Sequence, residues 1–554
     1  MKRLVLTSIL LISVLALLTS FSAAGGALAT TYYVAANGSD SNSGTSKTAP
    51  WQHAPGMSTA TGLASSTTIN PGDSIIFRGG DAWHFGNSAL TPFTGYKDGA
   101  WSFTSSGTSV NCNLNASAGT IVTTSCIYIG VDRTWFSGSS WARPQFNMDN
   151  PITNASPSSC VYDDSIITPI VFNGQYLIID NLEILGYCWN VTTVFGQVVG
   201  IQANDEIKNS YWHGWSMGAT ATGCGSCDSD EYWAIGGNTV GSWPNYVRID
   251  HNVFDGSDST YGNLPVAPGN ATGGIFLTGG ELDHNVLNHV SNGMKYDAAI
   301  LIHDNLFENM SEPIAGGTHG NVMEWGPSNY TVSTYYYNNT VRATNEGETV
   351  DMYPGAATSS KSGYIFNNVM TGPNGNPTNC YMVEGDGTGG PGLTQVFNNT
   401  SDSPCSFRSL RGSSTGVYQN NHLIGFSGFS GAGGFANMTT NTDNGNEVLQ
   451  AESAANAQGY VNGNNYAPTL ISNATVGTGG NLTSICYGMD NTVAWAACQS
   501  GIAGVTYNTA NHTAADNTPS ARPVIGPWDV GAYQFSSGST SGPAPPTGLT
   551  AVAK

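Results

Sequence analysis

Charged side chains recur in five short segments in the middle of the chain, 293–297, 321–325, 349–353, 380–384 and 405–409. Each segment is predicted to form a strand in which residues alternate between two faces, so the charged residues share the face opposite the apolar ones. These residues are Lys295, Asp297, Glu324, Asp351, Glu384 and Arg408. If the segments stack, neighbouring charges lie about 5 Å apart and next-but-one charges about 10 Å apart.

Acidic side chains at these separations have two chemical uses. Carboxylates about 5–5.5 Å apart suit a retaining glycosidase, and wider pairs suit an inverting one. They can also share Ca²⁺, a hard cation that prefers oxygen ligands. We therefore predict Asp297, Glu324 and Asp351 as catalytic residues and Ca²⁺ ligands. Lys295 or Arg408 would then accept the proton alpha to a sugar carboxyl group. The alternative is a solvated sheet face whose acids confer only solubility.

Four further residues are predicted to bind substrate in the same region. Glu384 and Arg411 would contact it through their charges, although alternation gives Glu384 the face of Met382 and leaves its register open. Trp325 and Tyr353 carry rings on which a sugar can stack. Alternation instead favours an inward direction for both rings, which makes core packing the alternative.

Histidines supply two other candidates. His319 lies in the Gly-rich turn 316–321, and we predict it as catalytic because turns carry function and imidazole titrates near neutrality. The alternative is a histidine on a surface turn. A second group pairs histidine with aspartate at 250–251, 283–284 and 303–304. This group is either a second polar site or a charged variant of the bend that recurs along the chain.

Charge is otherwise scarce. The chain has 554 residues, with 37 acidic and 16 basic side chains and a net charge of −21. Charged residues make up 10% of it, against about 25% in an average domain. So few Lys and Arg argue against nucleic acid and anionic membranes as partners. A chain this negative would repel a polyanion unless a cation intervened, so Ca²⁺ is the expected cofactor, with no organic one.

A repeated phrase sets the architecture. Alternating apolar residues, then a polar residue, then Asn recur with final Asn residues at positions 252, 285, 305, 339, 368, 399 and 421, and 176–181 is an earlier copy. A spacing of 20–34 residues indicates a solenoid, because propeller blades need about 40. Asn tolerates the left-handed bend between two strands, and stacked Asn side chains can bond to one another. We predict an all-β, right-handed, single-stranded parallel β-helix with an N-terminal cap.

Three segments resemble motifs of the secreted, pectin-lyase-like right-handed parallel β-helix proteins. Tyr32-Tyr33-Val34 through Pro50-Trp51 is similar to their N-terminal entry motif, Pro71-Gly72-Asp73 through Gly80 to their first coil, and Asp529-Val530-Gly531-Ala532-Tyr533 to their last strand. With the Asn repeats, the resemblance covers about residues 31–535. It implies the fold and leaves the activity open, because that superfamily includes lyases, hydrolases, epimerases and non-catalytic surface proteins.

The remaining patterns divide the chain. Residues 1–29 are predicted to be a signal peptide cleaved near Ala29, since a basic start precedes an apolar run and a small-x-small site. We predict an N-terminal cap and first coils at 30–115, the helix core at 116–430 and C-terminal coils with a cap at 431–535. The Ser/Gly/Pro-rich segment 536–554 reads as a linker that resembles the start of a fibronectin type III strand. No transmembrane span is predicted.

Ten cysteines fit an oxidising compartment. Their spacing suggests local bridges, although sequence alone does not fix the connectivity. The suggested pairs are Cys112–Cys126, Cys160–Cys188, Cys224–Cys227, Cys380–Cys405 and Cys486–Cys498.

Three functions remain open. We expect a secreted, monomeric polysaccharide lyase that cleaves a uronate-containing glycan by Ca²⁺-assisted β-elimination. The first alternative is a glycoside hydrolase that uses two of the same carboxylates on a neutral glycan. The second alternative is a non-catalytic glycan-binding or cell-surface protein.

Overall fold

The structure is a computed structural model. It describes residues 29–85, 100–108, 125–148, 169–186, 188–189, 196–202, 204–217, 232–237, 247–257, 273–277, 280–290, 293–296, 300–310, 322–325, 333–342, 351–352, 362–371, 381–385, 393–402, 406–410, 415–425 and 441–536.

Nearly all described strands belong to three parallel sheets. Sheet 1 contains, in spatial order, Thr31–Val34, Ser74–Gly79, Ile127–Phe136, Leu177–Asp180, Glu206–Lys208, Arg248–Asp250, Gly280–Asp283, Ile300–His303, Thr334–Tyr337, Ser362–Phe366, Leu393–Phe397, Thr415–Gln419 and Asn441–Asp443. Sheet 2 contains Ala82–His84, Gln145–Asn147, Glu183–Leu185, Tyr211–His213, Val253–Asp255, Val286–Asn288, Leu306–Glu308, Thr340–Arg342, Val369–Met370, Thr400–Asp402, His422–Ile424 and Val448–Gln450. Sheet 3 contains Trp101–Phe103, Ile170–Phe172, Gly196–Ile201, Tyr232–Gly237, Gly273–Leu277, Met294–Tyr296, Met323–Trp325, Asp351–Met352, Tyr381–Gly385 and Ser406–Leu410.

The chain visits sheets 1, 2 and 3 in turn and then returns to sheet 1 one strand further along. From Ser74–Gly79 to Ser406–Leu410, ten successive coils each contribute one strand to each sheet, and the strands of successive coils pair in parallel. This path confirms the predicted parallel β-helix. Two short pairs lie outside the three sheets, namely parallel Cys188–Trp189 with Ser216–Met217 and antiparallel Val505–Asn508 with Thr513–Asp516.

Apolar columns from the three sheets fill the interior. On sheet 1 the buried column includes Ile207, Ile249, Leu282, Ile302, Tyr336, Ile365, Val396 and Tyr418. Opposite it, sheet 2 contributes Trp212, Phe254, Leu287, Phe307, Val341, Met370 and Leu423. Each column repeats once per coil because strand residues alternate between the inside and the outside.

In the turn between sheets 1 and 2, two adjacent residues have different structural roles. The first adopts a left-handed backbone, as Asn338 does with a φ of 56°. The second points its amide inward, and Asn339 accepts hydrogen bonds from the backbone and side-chain nitrogens of Asn305 at 3.1 and 3.0 Å. The same contacts link Asn252 successively to Asn285, Asn305, Asn339, Asn368, Asn399 and Asn421, and Glu447 ends the series. The predicted Asn ladder is therefore confirmed.

The N-terminal segment closes the first coil around Trp51. This indole is fully buried, stacks on Tyr32 at 4.7 Å and donates a hydrogen bond to the carbonyl of Asn42. Gly44 has a φ of 72°, and a Cβ there would lie 2.4 Å from the indole, so only glycine fits. Thr31–Val34 pairs in parallel with Ser74–Gly79.

The segment after the last coil folds back along the outside of sheets 1 and 2. Its short helices are Glu452–Ala457, Thr483–Tyr487 and Thr492–Cys498, with a 3₁₀ turn at Asn462–Asn464. One more short helix, Gly62–Ser66, lies in the N-terminal segment. Leu482 and Met489 pack on an outer aromatic stack that includes Tyr337 and Phe366, whose rings lie 4.8 Å apart. Within the described residues, none of these helices is long and apolar enough to cross a membrane.

The expectation of a last strand at 529–533 was wrong. The structure has no strand there among the described residues. The segment instead bonds to the turns of the helix, where Asn398 Nδ2 donates to the carbonyls of Asp529 and Gly531, and Thr400 accepts from the amide of Ala532. The side chains of Asn398 and Thr400 thus take the place of a neighbouring strand for these three backbone groups.

Candidate functional site

The charged residues of sheet 3 occupy one register position on four consecutive strands. Lys295 pairs with Glu324. Glu324 pairs in turn with Asp351, and Asp351 pairs with Glu384. The spacing of parallel strands makes each step about 4.8 Å. We call these four residues the charged row.

The two ends of the charged row differ. The position before it is apolar, since Phe276 pairs with the first residue of the row. At the other end the register shifts between Tyr381–Gly385 and Ser406–Leu410. Arg408 lies in the shifted segment across from Glu384. A bulge of this kind bends the strand and changes the direction of its side chains.

Buried methionines alternate with the charged row. Met294 and Met323 each precede a row residue by one position, pair with each other and are fully buried. The row thus takes the positions between core residues, as the two-residue period of a strand requires. Trp325 follows Glu324 and pairs with Met352 of the next strand.

The other residues predicted for this site are Asp297, His319, Tyr353 and Arg411, and they lie outside the described residues. Their roles, and those of Lys295, Glu324, Asp351, Glu384, Arg408 and Trp325, stay predictions. The strand register places the charged row and Trp325 on neighbouring positions of the same sheet.

One of the suggested cysteine bridges lies in the described region as a complete pair. Cys486 and Cys498 form a disulfide between two short helices, with their Cα atoms 5.7 Å apart. Cys126 is also disulfide-bonded. The remaining suggested pairings each include a cysteine outside the described residues and stay predictions.

The paired aspartates and histidines occupy the turns between sheets 1 and 2 on three consecutive coils. We call this group the turn cluster, which comprises Asp250, His251, Asp283, His284, His303 and Asp304. His251, His284 and Asp304 have φ values of 56°, 55° and 58°. They therefore take the left-handed position that Asn fills in neighbouring coils, which confirms the interpretation as a charged variant of the bend.

Each imidazole of the turn cluster is oriented by the aspartate next to it in sequence. All three Nδ1 atoms lie 2.8 Å from a carboxylate oxygen of that aspartate. The rings of His251 and His284 stack with their centroids 4.8 Å apart and their planes 3° apart. The three imidazoles are thus fixed in direction by contacts within the cluster.

A network of buried charged side chains lies on the sheet 1 strands that lead into these turns. The Arg248 guanidinium donates two hydrogen bonds to Asp283, at 2.9 and 2.7 Å. Burial raises the pKa of Asp283, but contacts with His284 and Arg248 outweigh it and hold that pKa well below its usual range. Burial also raises the pKa of Glu206, to about 9, although Lys208 donates to its carboxylate at 3.1 Å.

His303 lies between two acids and under the returning C-terminal segment. Its Nε2 lies 2.9 Å from Glu281 Oε1, and its ring stacks on Tyr337 at 4.7 Å. Burial lowers the pKa of His303, but the hydrogen bonds to Asp304 and Glu281 outweigh it and raise the pKa to about 10. The Gly504 amide donates to Asp304 Oδ1 at 2.8 Å, so this part of the cluster holds the C-terminal segment in place.

Asp516 is a member of this region that the sequence did not reveal. Its Oδ1 lies 3.0 Å from His251 Nε2 and 3.9 Å from His284 Nε2. It belongs to the antiparallel hairpin and follows His251 by 265 residues. No local pattern around Asp516 indicates that its hairpin returns to these coils.

No protein-family model matches the chain. No curated protein matches it either. Among solved structures, it is similar to a pectate lyase at 14% identity, with 92% of this chain and 98% of that chain covered and a TM-score of 0.43. A rhamnogalacturonan lyase matches at 12% identity, with coverages of 76% and 87% and a TM-score of 0.37. A lacto-N-biosidase from Eubacterium ramulus matches at 11% identity, with coverages of 76% and 68% and a TM-score of 0.37.

Proposed function

We propose that this protein is a secreted enzyme that acts on a polysaccharide, and that the charged row of sheet 3 is its active site. The register of the row supports the proposal most directly. In a chain with only 10% charged residues, four consecutive strands carry a charge at one register position. Because row positions alternate with buried methionines, we expect them on the outer face, where a linear polymer can lie across the strands. The disulfide Cys486–Cys498 supports an oxidising, extracellular location.

The leading reaction is β-elimination on a uronate-containing glycan with Ca²⁺. The donor set fits this ion, because Glu324, Asp351 and Glu384 follow one another in register and carboxylate oxygens are the ligands that Ca²⁺ takes. Asp297 is the further predicted ligand. Bound Ca²⁺ would neutralise the sugar carboxylate. A chain with a net charge of −21 would otherwise repel a polyanion.

Lys295 is the base in this proposal, with Arg408 as the alternative. The neutral amine of Lys295 accepts the proton alpha to the sugar carboxyl group. The bond between the beta carbon and the glycosidic oxygen then breaks, its electron pair leaves with the oxygen, and a carbon–carbon double bond forms. The oxygen takes up a proton, which yields one unsaturated uronate end and one new reducing end.

Hydrolysis is the second candidate, and one observation favours it. Glu324 and Asp351 are direct register partners on adjacent strands. The resulting step of about 4.8 Å is close to the separation of about 5–5.5 Å between the two carboxyl groups of a retaining glycosidase. One residue would then act as the nucleophile and the other as the acid and base, on a glycan without uronates.

A panel of glycans, assayed with Ca²⁺ and with a chelator, tests these reactions. Ultraviolet-absorbing products that disappear with the chelator support the lyase. New reducing ends without unsaturation support hydrolysis. Binding without turnover on every glycan would overturn the enzymatic proposal in favour of the binding protein. Turnover of uronates that survives chelation would overturn the role of Ca²⁺.

Matched variants then test the charged row itself. Glu324→Gln and Asp351→Asn should each lower kcat at least 100-fold with unchanged folding, since each removes a group that acts in the reaction. Glu308→Gln is the control, because Glu308 is an acid on sheet 2 that pairs with Arg342. Activity that persists in both row variants, or falls equally in the control, would place the active site elsewhere.

A further inference from the structure

The outer edge of the turn cluster presents two imidazole nitrogens and a carboxylate to one point. His251 and His284 stand on adjacent coils with stacked rings. One ligand atom from each of His251, His284 and Asp516 lies within 4.8 Å of the other two. The two histidine side chains are 25% and 21% exposed and Asp516 is 58% exposed, so solvent ions reach this point.

A buried carboxylate accepts a hydrogen bond from the Nδ1 atom of each of these two histidines. Asp250 accepts from Nδ1 of His251, and Asp283 accepts from Nδ1 of His284. A carboxylate at Nδ1 keeps the proton on that nitrogen when Nε2 binds a metal, an arrangement that accompanies metal-binding histidines. Asp283 is itself fixed by the two hydrogen bonds from Arg248. Arg248 thus holds the carboxylate that bonds to the Nδ1 side of the His284 ring.

The third group comes from a different part of the fold. Asp516 ends the strand Thr513–Asp516, and the hairpin to which it belongs is tied down independently of the histidines. Arg143 donates to the carbonyls of Asn511 and His512 at 3.0 and 3.1 Å. The carboxylate therefore stays near the two imidazoles without depending on them for its position.

We propose that His251, His284 and Asp516 form a binding site for a divalent transition-metal ion of the Zn²⁺ class. Two imidazole nitrogens and one carboxylate oxygen are a ligand set that Zn²⁺ accepts, with water as the fourth ligand. Tetrahedral bonds of 2.0–2.1 Å require donor atoms roughly 3.3 Å apart. The oxygen–nitrogen distances of 3.0 and 3.9 Å lie on either side of that value. If the His284 ring tilts out of its stack with His251, its Nε2 comes close enough to Asp516 Oδ1 for both to bind one ion.

Binding of this ion links the helix to the returning hairpin and competes with protons. An imidazole nitrogen binds a metal only when it carries no proton, so the affinity for the ion should rise with pH. The site has no part in the charged row, so it holds whether or not the proposed enzymatic function does.

The full chain, stripped of metal with a chelator and dialysed, is titrated with Zn²⁺ by calorimetry and with Co²⁺ by visible absorption. We expect one equivalent per chain, the absorption bands of four-coordinate Co²⁺, and proton release on binding. His284→Asn should weaken Zn²⁺ at least tenfold and should still fold, because Asn fills the same left-handed position in Asn338 and Asn367. Asp516→Asn, at an exposed position, should also weaken Zn²⁺ binding.

His289→Asn is the matched control. His289 is also a half-buried histidine with a left-handed backbone, with a φ of 54°, five residues after His284. Its substitution should leave Zn²⁺ affinity and stoichiometry unchanged. The proposal is overturned if Zn²⁺ fails to bind up to millimolar concentration. It is also overturned if both His284→Asn and Asp516→Asn bind as the wild type does, or if the control alone removes binding.

Discussion

Two adjacent asparagines in one turn should lose very different amounts of stability on the same substitution. Asn338 supplies the left-handed backbone with a φ of 56°. Asn339 supplies the ladder and makes four side-chain hydrogen bonds. Its Oδ1 accepts from the backbone and side-chain nitrogens of Asn305, and its Nδ2 donates to the Ile302 carbonyl and to Asn368 Oδ1, all at 3.0–3.1 Å. We predict that Asn338→Gly is tolerated and that Asn339→Gly is not.

The magnitudes follow from what each side chain satisfies. Asn339→Gly removes four buried hydrogen bonds of about 1 kcal/mol each and leaves the Asn305 backbone N–H without its acceptor, a loss of about 4 kcal/mol in the free energy of unfolding. Asn338→Gly removes one acceptor for Asn367 Nδ2, which keeps a bond of 2.8 Å to the Ser500 carbonyl. Glycine adopts the left-handed backbone without strain, so this change should cost about 1 kcal/mol or less.

Guanidinium unfolding of the two variants and the wild type, followed by circular dichroism and tryptophan fluorescence, measures the difference. The same substitution at neighbouring positions cancels most of the effect of glycine on the unfolded chain. We expect a clearly lower midpoint for Asn339→Gly and a midpoint near that of the wild type for Asn338→Gly. Equal midpoints, or a larger loss at position 338, would refute the division of roles within the turn.

Three further outcomes are expected. The double variant Cys486→Ala/Cys498→Ala should lose about 3 kcal/mol for a bridge that closes 12 residues, and a reducing agent that leaves the unfolding midpoint of the wild type unchanged would contradict this. The stability conferred by His303 should be complete below its unfolded pKa of about 6.5 and lost as the pH rises through about 10. Unfolding midpoints should therefore fall from pH 7 to 10, less steeply in His303→Gln, and parallel profiles would exclude this group as the cause. Arg522→Met should cost about 3–5 kcal/mol, because this buried guanidinium donates to five oxygens of the protein, and calorimetry showing less than 1 kcal/mol would be inconsistent with that role.

Features that repeat once per coil could be predicted from the sequence. The Asn phrase indicated both the turn and the ladder, because each copy supplies one step of the same contact. The sequence also predicted charges on successive strands, but their alignment, with Glu324 and Asp351 as register partners, required the structure because the loops between the strands vary in length. The register of the row at Glu384 also required the structure, because Met382 left the alternation undecided there.

Contacts made by the returning C-terminal segment could not be predicted. Asp516 meets His251 across 265 residues, and nothing near either residue in sequence encodes that distance. The segment 529–533 shows the same limit, because it resembles a last strand of the family while its backbone bonds to the side chains of Asn398 and Thr400 instead. Pattern arguments depend on local periodicity, and these contacts have none.

The returning segment has a consequence for how the molecule comes apart. A stack of coils in which each touches only its neighbours can unzip from either end, one repeat at a time. Here the last part of the chain runs back across many coils. Asn420 meets Gly480, Asp304 meets Gly504, and Arg143 meets Asn511. This clasp couples distant repeats, so the array should melt as one cooperative unit, and during synthesis the coils can stack first while the clasp closes last.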